Sequence, residues 1–146
     1  MFNNWHIVLL ISIVVQYLIG VIQSNSLFVF FNDNLVLLLV ALSAINNTTL
    51  GVIMSKLKEI SKEYFTDFSE VIRQMKISIK EQLILILVGT SIQILCGSSL
   101  LFFKNDTFLY ISQVLLIFIF LYSLYILYDT ANMIFDILNF ENKETN

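Results

Sequence analysis

Four stretches of 18 to 21 residues contain no Asp, Glu, Lys or Arg, and together they make up more than half of this 146-residue chain. They are residues 5–22, 35–54, 83–103 and 108–128. About 20 apolar residues in a helix cross a hydrocarbon core of roughly 30 Å. Inside hydrocarbon the backbone has to satisfy its own hydrogen bonds, so only helices and closed barrels span it. A barrel would show many alternating segments of about ten residues, and none are visible. The chain has no proline and only four glycines, so little interrupts long helices. Its residues are 58% hydrophobic and 13% charged, against about 45–50% and about 25% in an average soluble domain. A soluble fold of this size has too much surface to hide that apolar area. The expected fold is an all-α membrane protein, a single transmembrane domain over residues 1–146 with four membrane-spanning helices.

The first stretch lacks the features of a cleaved signal. Residues 1–4 carry no Lys or Arg, and the sequence around Ser24 is a poor cleavage site. The connection at residues 23–34 holds LFVFF between polar ends. It is too short to span and is expected in the headgroup zone, where aromatic rings settle. Orientation follows from the basic residues. Six of the eight, Lys56, Lys58, Lys62, Arg73, Lys76 and Lys80, fall in residues 55–82. Positive charge between spans marks the cytoplasmic side. The segment 55–82 is therefore expected in the cytoplasm, and four crossings put both termini there as well. The expected location is a bacterial inner membrane.

Within 55–82, Leu57, Ile60, Tyr64, Phe68, Val71, Met75 and Ile79 recur at helical steps of three or four. The second and third helices should therefore continue out of the membrane as a cytoplasmic helical hairpin. Two capping-box-like pairs compete for its turn, Asp67 with Glu70 and Ser78 with Glu81. The first, around residues 66–69, leaves arms of similar length and is preferred. The tail at 129–146 opens as an amphipathic extension of the fourth helix, with Met133, Ile134, Ile137 and Phe140 on one face. Two placements are open for it. It packs along the hairpin, where its acidic residues face six bases, or it lies on the bilayer surface. Residues 141–146 are expected to lack structure.

The spans carry carboxamides instead of charges. Gln16, Asn46, Asn47 and Gln93 lie about 12–17 Å from the cytoplasmic helix ends at 1.5 Å per residue, which suggests a polar belt near the midplane. Two roles are open. Such side chains act as interhelical glue, since lipid offers no partner. Alternatively Asn46, Asn47, Thr48, Ser91 and Gln93 line a hydrated pathway in an oligomer. Gly89 and Gly97, eight residues apart on one helical face with Gln93 between them, suggest a close helix-packing face, within or between subunits.

Several functions find no residues to carry them. One cysteine, Cys96, and one histidine, His6, exclude an intrachain disulfide, cysteine clusters and histidine metal sites. Isolated serines and threonines lack a histidine base, so no enzyme activity and no cofactor are expected. Trp5 and His6 read as an interfacial anchor. The absence of a basic face argues against direct nucleic-acid binding. Three function classes remain: a membrane-anchoring subunit that recruits a soluble cytoplasmic partner, a homo-oligomeric pore or membrane-disrupting effector, and a bacteriocin-immunity-type protein. For the first, the hairpin's mixed-charge face, Lys58, Lys62, Glu63, Glu70 and Arg73, is the expected docking surface.

The four-pass plan, the Asn-, Ile-, Lys- and Phe-rich composition, and the segment KLKEISKEYFTDFSEVIRQMK at residues 56–76 resemble the small membrane component of bacterial Kiwa antiphage systems. The resemblance implies a homo-oligomeric membrane sensor that holds a cytoplasmic DNA-binding effector. It rests on layout and assigns no role to any single residue.

Overall fold

In a computed structural model, residues 5–22, 26–64, 68–97 and 106–144 are described. They form four helices: α1 (Trp5–Ile22), α2 (Ser26–Tyr64), α3 (Ser69–Gly97) and α4 (Asp106–Glu144). Each is long and apolar enough to cross a membrane. Their 18, 39, 29 and 39 residues correspond to about 27, 58, 43 and 58 Å at 1.5 Å per residue. Hence α1 alone is no longer than a hydrocarbon core is thick, and the other three are longer than that thickness.

Two expectations about the helices change. Residues 26–34 are not a separate interfacial connection. They are the first turns of α2, where the Phe31 ring lies 5.2 Å from that of Phe120 on α4. Burying Phe31 against α4 outweighs any break that the polar pair Asn32–Asp33 would favour, because both polar side chains stay on the exposed side of the helix. At the other end, α4 passes Phe140 and reaches Glu144, so most of 141–146 is helical. Of the preferred hairpin turn at residues 66–69, residues 66 and 67 lie outside the described residues, and Phe68 immediately precedes α3, which begins at Ser69. The rival turn is absent, since α3 runs unbroken through Ser78 and Glu81. Its first turn carries Glu70, which suits the positive end of the helix dipole.

The packing has a coiled-coil period. Along α2 the buried positions run Leu35, Leu39, Ser43, Asn46, Leu50, Ile53, Leu57 and Ile60. Along α4 they include Ser112, Leu116, Ile119, Ser123, Ile126 and Thr130, and along α3 Met75, Ser78, Gln82, Leu85 and Gly89. Steps of alternating three and four place one seam of each helix against its neighbours. α4 is the hub: it packs on α1, α2 and α3, whereas α1 packs on α4 alone among the described residues. Hydroxyls along the helices turn back on their own backbone. Ser12 donates to the Val8 carbonyl, Thr90 to Ile86 and Thr130 to Ile126. Each is satisfied without a partner helix, which lets a hydroxyl sit at an apolar depth.

The seam separates into two apolar cores. The larger gathers Phe31, Leu35 and Leu39 of α2, Leu85 of α3, and Leu116 through Ile126 of α4, with Val8 of α1. The second gathers Leu50, Ile53 and Leu57 of α2, Met75 of α3, and Met133, Ile134 and Ile137 of α4. α1 does not reach this second core. The first part of the tail extension thus lies against the arms of the hairpin.

The outer surface changes character between these parts. Around the first core it is apolar: Leu10, Ile13, Leu37, Leu87, Ile94 and Ile111 are all exposed. Around the second core the exposed positions include Lys58, Glu59, Glu70, Arg73, Lys76 and Lys80. Water tolerates scattered apolar side chains but rarely a continuous apolar belt of this extent. An exposed apolar surface of this extent, with buried polar residues behind it, is what lipid selects.

Candidate functional site

Polar side chains interrupt the seam between the two cores. Asn46 of α2 is fully buried. Its amide nitrogen donates to Ser78 Oγ and to Gln82 Oε1 of α3, both at 3.1 Å. Asn46 Oδ1 and Gln82 Nε2 find no further partner among the described residues. The seam steps 43, 46, 50 on α2 and 75, 78, 82, 85 on α3 bring these three polar groups to one level. A heptad slip of either helix would set the Asn46 amide against leucine or methionine. A single polar layer of this kind holds the register of a helical seam.

The four carboxamides read as one belt do not form one. Gln16 of α1 donates to Gln113 Oε1 of α4. Gln93 of α3 donates to the carbonyls of Phe31 (2.7 Å) and Asn32 (3.2 Å) on α2. Both contacts lie at the level of Phe31. Asn46 sits fifteen residues farther along α2, about 22 Å away at helical rise. Asn47 lies on the exposed side of α2, because successive helical residues point about 100° apart. The sequence estimate counted depth from hydropathy boundaries. Actual heights follow the antiparallel register of α2 and α3, which pairs 46 with 78 and 82, and 31 with 93. Thr48 and Ser91, the hydroxyls of the pathway reading, are exposed and bonded to the Ala44 and Leu87 carbonyls of their own helices.

Gly89 is a point of close approach inside the subunit. A Cβ there would come within 3.2 Å of Leu39 Cδ1 and 3.6 Å of Ile119 Cγ2. The surroundings of Gly97, the last residue of α3, are outside the described residues. Of the expected docking residues, Lys58 is exposed on α2, and Glu70 and Arg73 are exposed on α3. The last two clasp each other: Arg73 donates from Nε to Glu70 Oε2 (2.8 Å) and from Nη2 to Oε1 (2.6 Å). Those guanidinium bonds, helped by Gln74, hold the Glu70 carboxyl below its usual range. The side chains of Lys62 and Glu63 are outside the described residues.

One residue escaped the sequence reading. Glu81 falls within residues 55–82, expected in the cytoplasm, yet it is only 7% exposed, and neither carboxylate oxygen has a hydrogen-bond partner among the described residues. It lies beside the seam positions Ser78, Gln82 and Leu85, and lines a groove with Trp5 of α1 and Tyr122 of α4. The signal was present in the step 75, 78, 82, 85, 89, which continues the span's buried face below Leu83 and carries Glu81 along its flank. No group of three or more His, Cys, Asp and Glu side chains that could hold a metal occurs among the described residues.

Compared with known protein families, curated proteins and solved structures, the chain matches none.

Proposed function

We propose that this protein is a membrane-anchoring and sensing subunit that recruits a soluble cytoplasmic effector through the α2–α3 hairpin. In this reading it sits in a bacterial inner membrane with both termini and the hairpin inside, works as a homo-oligomer, and performs no catalysis. The resemblance to the small Kiwa membrane component makes antiphage defence the proposed setting, with nucleic acid handled by the partner. One observation supports the reading above others: toward the hairpin end of the bundle, α2, α3 and α4 share a second core, which includes none of α1 among the described residues. A bare anchor has no use for such a core, whereas a docking module has to present its exposed charges on a packed surface. Lys58 and the Glu70–Arg73 pair supply such charges.

The test is affinity purification from the native host with Lys58→Glu and Arg73→Glu introduced together. The reading expects a stoichiometric soluble partner with the native chain and its loss with the variant, while helix content and membrane insertion persist. A partner retained despite charge reversal sinks hairpin docking. Orientation is read separately in a Cys96→Ser background. A cysteine placed at Lys58 should react with an impermeant maleimide in inverted vesicles and stay unreactive in intact cells.

A further inference from the structure

We propose that the groove between α1 and the α3–α4 pair binds a lipophilic organic cation, with Glu81 as its counter-charge. The groove has a volume of about 470 Å³ and is lined by Trp5, Glu81, Ile84, Leu85, Phe118 and Tyr122. Small-molecule sites commonly measure about 300–1,000 Å³, mostly apolar with a few placed polar groups. Here three aromatic rings and two aliphatic side chains surround one charged group. The aromatic and aliphatic side chains suit an apolar body.

Glu81 gives the groove its sign. A carboxylate withdrawn from water is strongly disfavoured unless it gains a proton or a positive partner. Both of its oxygens are shielded and without a hydrogen bond among the described residues. The structure also provides an entrance. α1 packs on α4 and makes no helix contact with α3 among the described residues. Ile84, on the rim, is exposed. A cation on an apolar body can therefore reach the groove from the apolar belt, and rotation of the Glu81 side chain brings the two charges together. An ammonium headgroup of a bilayer lipid and a free amphipathic cation share this chemistry. The inference depends on the membrane setting and not on the effector-recruiting reading.

Trp5 is the sole tryptophan, so its emission reports from the groove wall. The full chain is placed in nanodiscs of phosphatidylglycerol, which has no ammonium, and titrated with tetraphenylphosphonium. A saturable emission change is expected, weakened at least tenfold by Glu81→Gln and preserved by Glu81→Asp. Ile84→Phe, which fills the groove from its rim and leaves the carboxylate in place, should weaken it as well. Adding phosphatidylethanolamine separates the sources. Competition seen in the native chain but not in Glu81→Gln assigns the site to a lipid headgroup; no competition assigns it to a free cation. The proposal is overturned if the native chain shows no saturable change, if Glu81→Gln titrates like it, or if Glu81→Asp loses binding as fully as Glu81→Gln.

Discussion

Asn46 and Asn47 are chemically identical neighbours, and the structure expects them to behave differently. Asn46 is 0% exposed and holds α2 to α3 through two donated bonds. Asn47 faces outward. Hydrogen bonds between membrane helices contribute about 0.6 kcal/mol on average and up to about 1.7 each. Losing two, in a layer that cannot rehydrate easily, puts Asn46→Ala at about 1–3 kcal/mol of destabilisation. The small void left by truncation adds to this. Asn47→Ala should stay within about 0.5 kcal/mol, as is usual for exposed sites without special contacts. The measurement is reversible unfolding in mixed micelles, with denaturing detergent titrated and helix content followed. A double-mutant cycle with Gln82→Ala isolates the shared bond, with an expected coupling of about 0.6–2 kcal/mol. The reasoning fails if Asn47→Ala costs as much as Asn46→Ala. It fails equally if the cycle shows no coupling, because the polar layer would then not be holding the register.

Three further expectations follow from other contacts. Replacing either Gln16 or Gln113 by Leu strands the partner amide and should cost about 1–2 kcal/mol, whereas replacing both should cost less than the sum of the two, as the same unfolding assay would show. Gly89→Val should destabilise by about 1–3 kcal/mol through overpacking against Leu39 and Ile119, while Gly89→Ala costs less because the Leu39 methyl can shift by a few tenths of an ångström; equal costs would refute the close approach. Arg73→Gln should raise the Glu70 titration midpoint toward the ordinary carboxylate value in a carbon-detected NMR titration. Because the folded-state value is lowered, any stability from this pair is present above the ordinary carboxylate range and lost as pH falls through the lowered value. Full exposure keeps that contribution small, so the midpoint is the quantity to read.

Much of the architecture was legible without coordinates. Four charge-free runs of spanning length in a chain without proline leave little but four helices, and their average hydropathy needs no knowledge of neighbours. The reading broke down wherever a residue's role depended on which side of a helix it faced. LFVFF read as a connection because it is short and lies between polar ends, but Leu27, Phe28 and Phe31 pack into the core that α4 lines. Glu81 read as the acidic half of a capping-box-like pair with Ser78, but α3 runs unbroken through both and carries Glu81, about 100° from exposed Lys80, to the flank of the seam.

The sequence by itself therefore determined that this chain has four membrane-length helices, and that most of its basic charge lies between the second and third. Hydrophobic length and charge placement are sums over a segment, and sums survive ignorance of packing. Only the tertiary structure decided that α4 is the hub, that α1 packs on it alone among the described residues, and that the supposed carboxamide belt resolves into two levels about 22 Å apart. Those facts depend on the register of one helix against another. Shifting a seam by one heptad changes every partner while leaving the hydropathy of each segment untouched. The buried contact of Asn46 with Ser78 and Gln82 distinguishes these registers, because a heptad shift takes both acceptors away from the Asn46 amide.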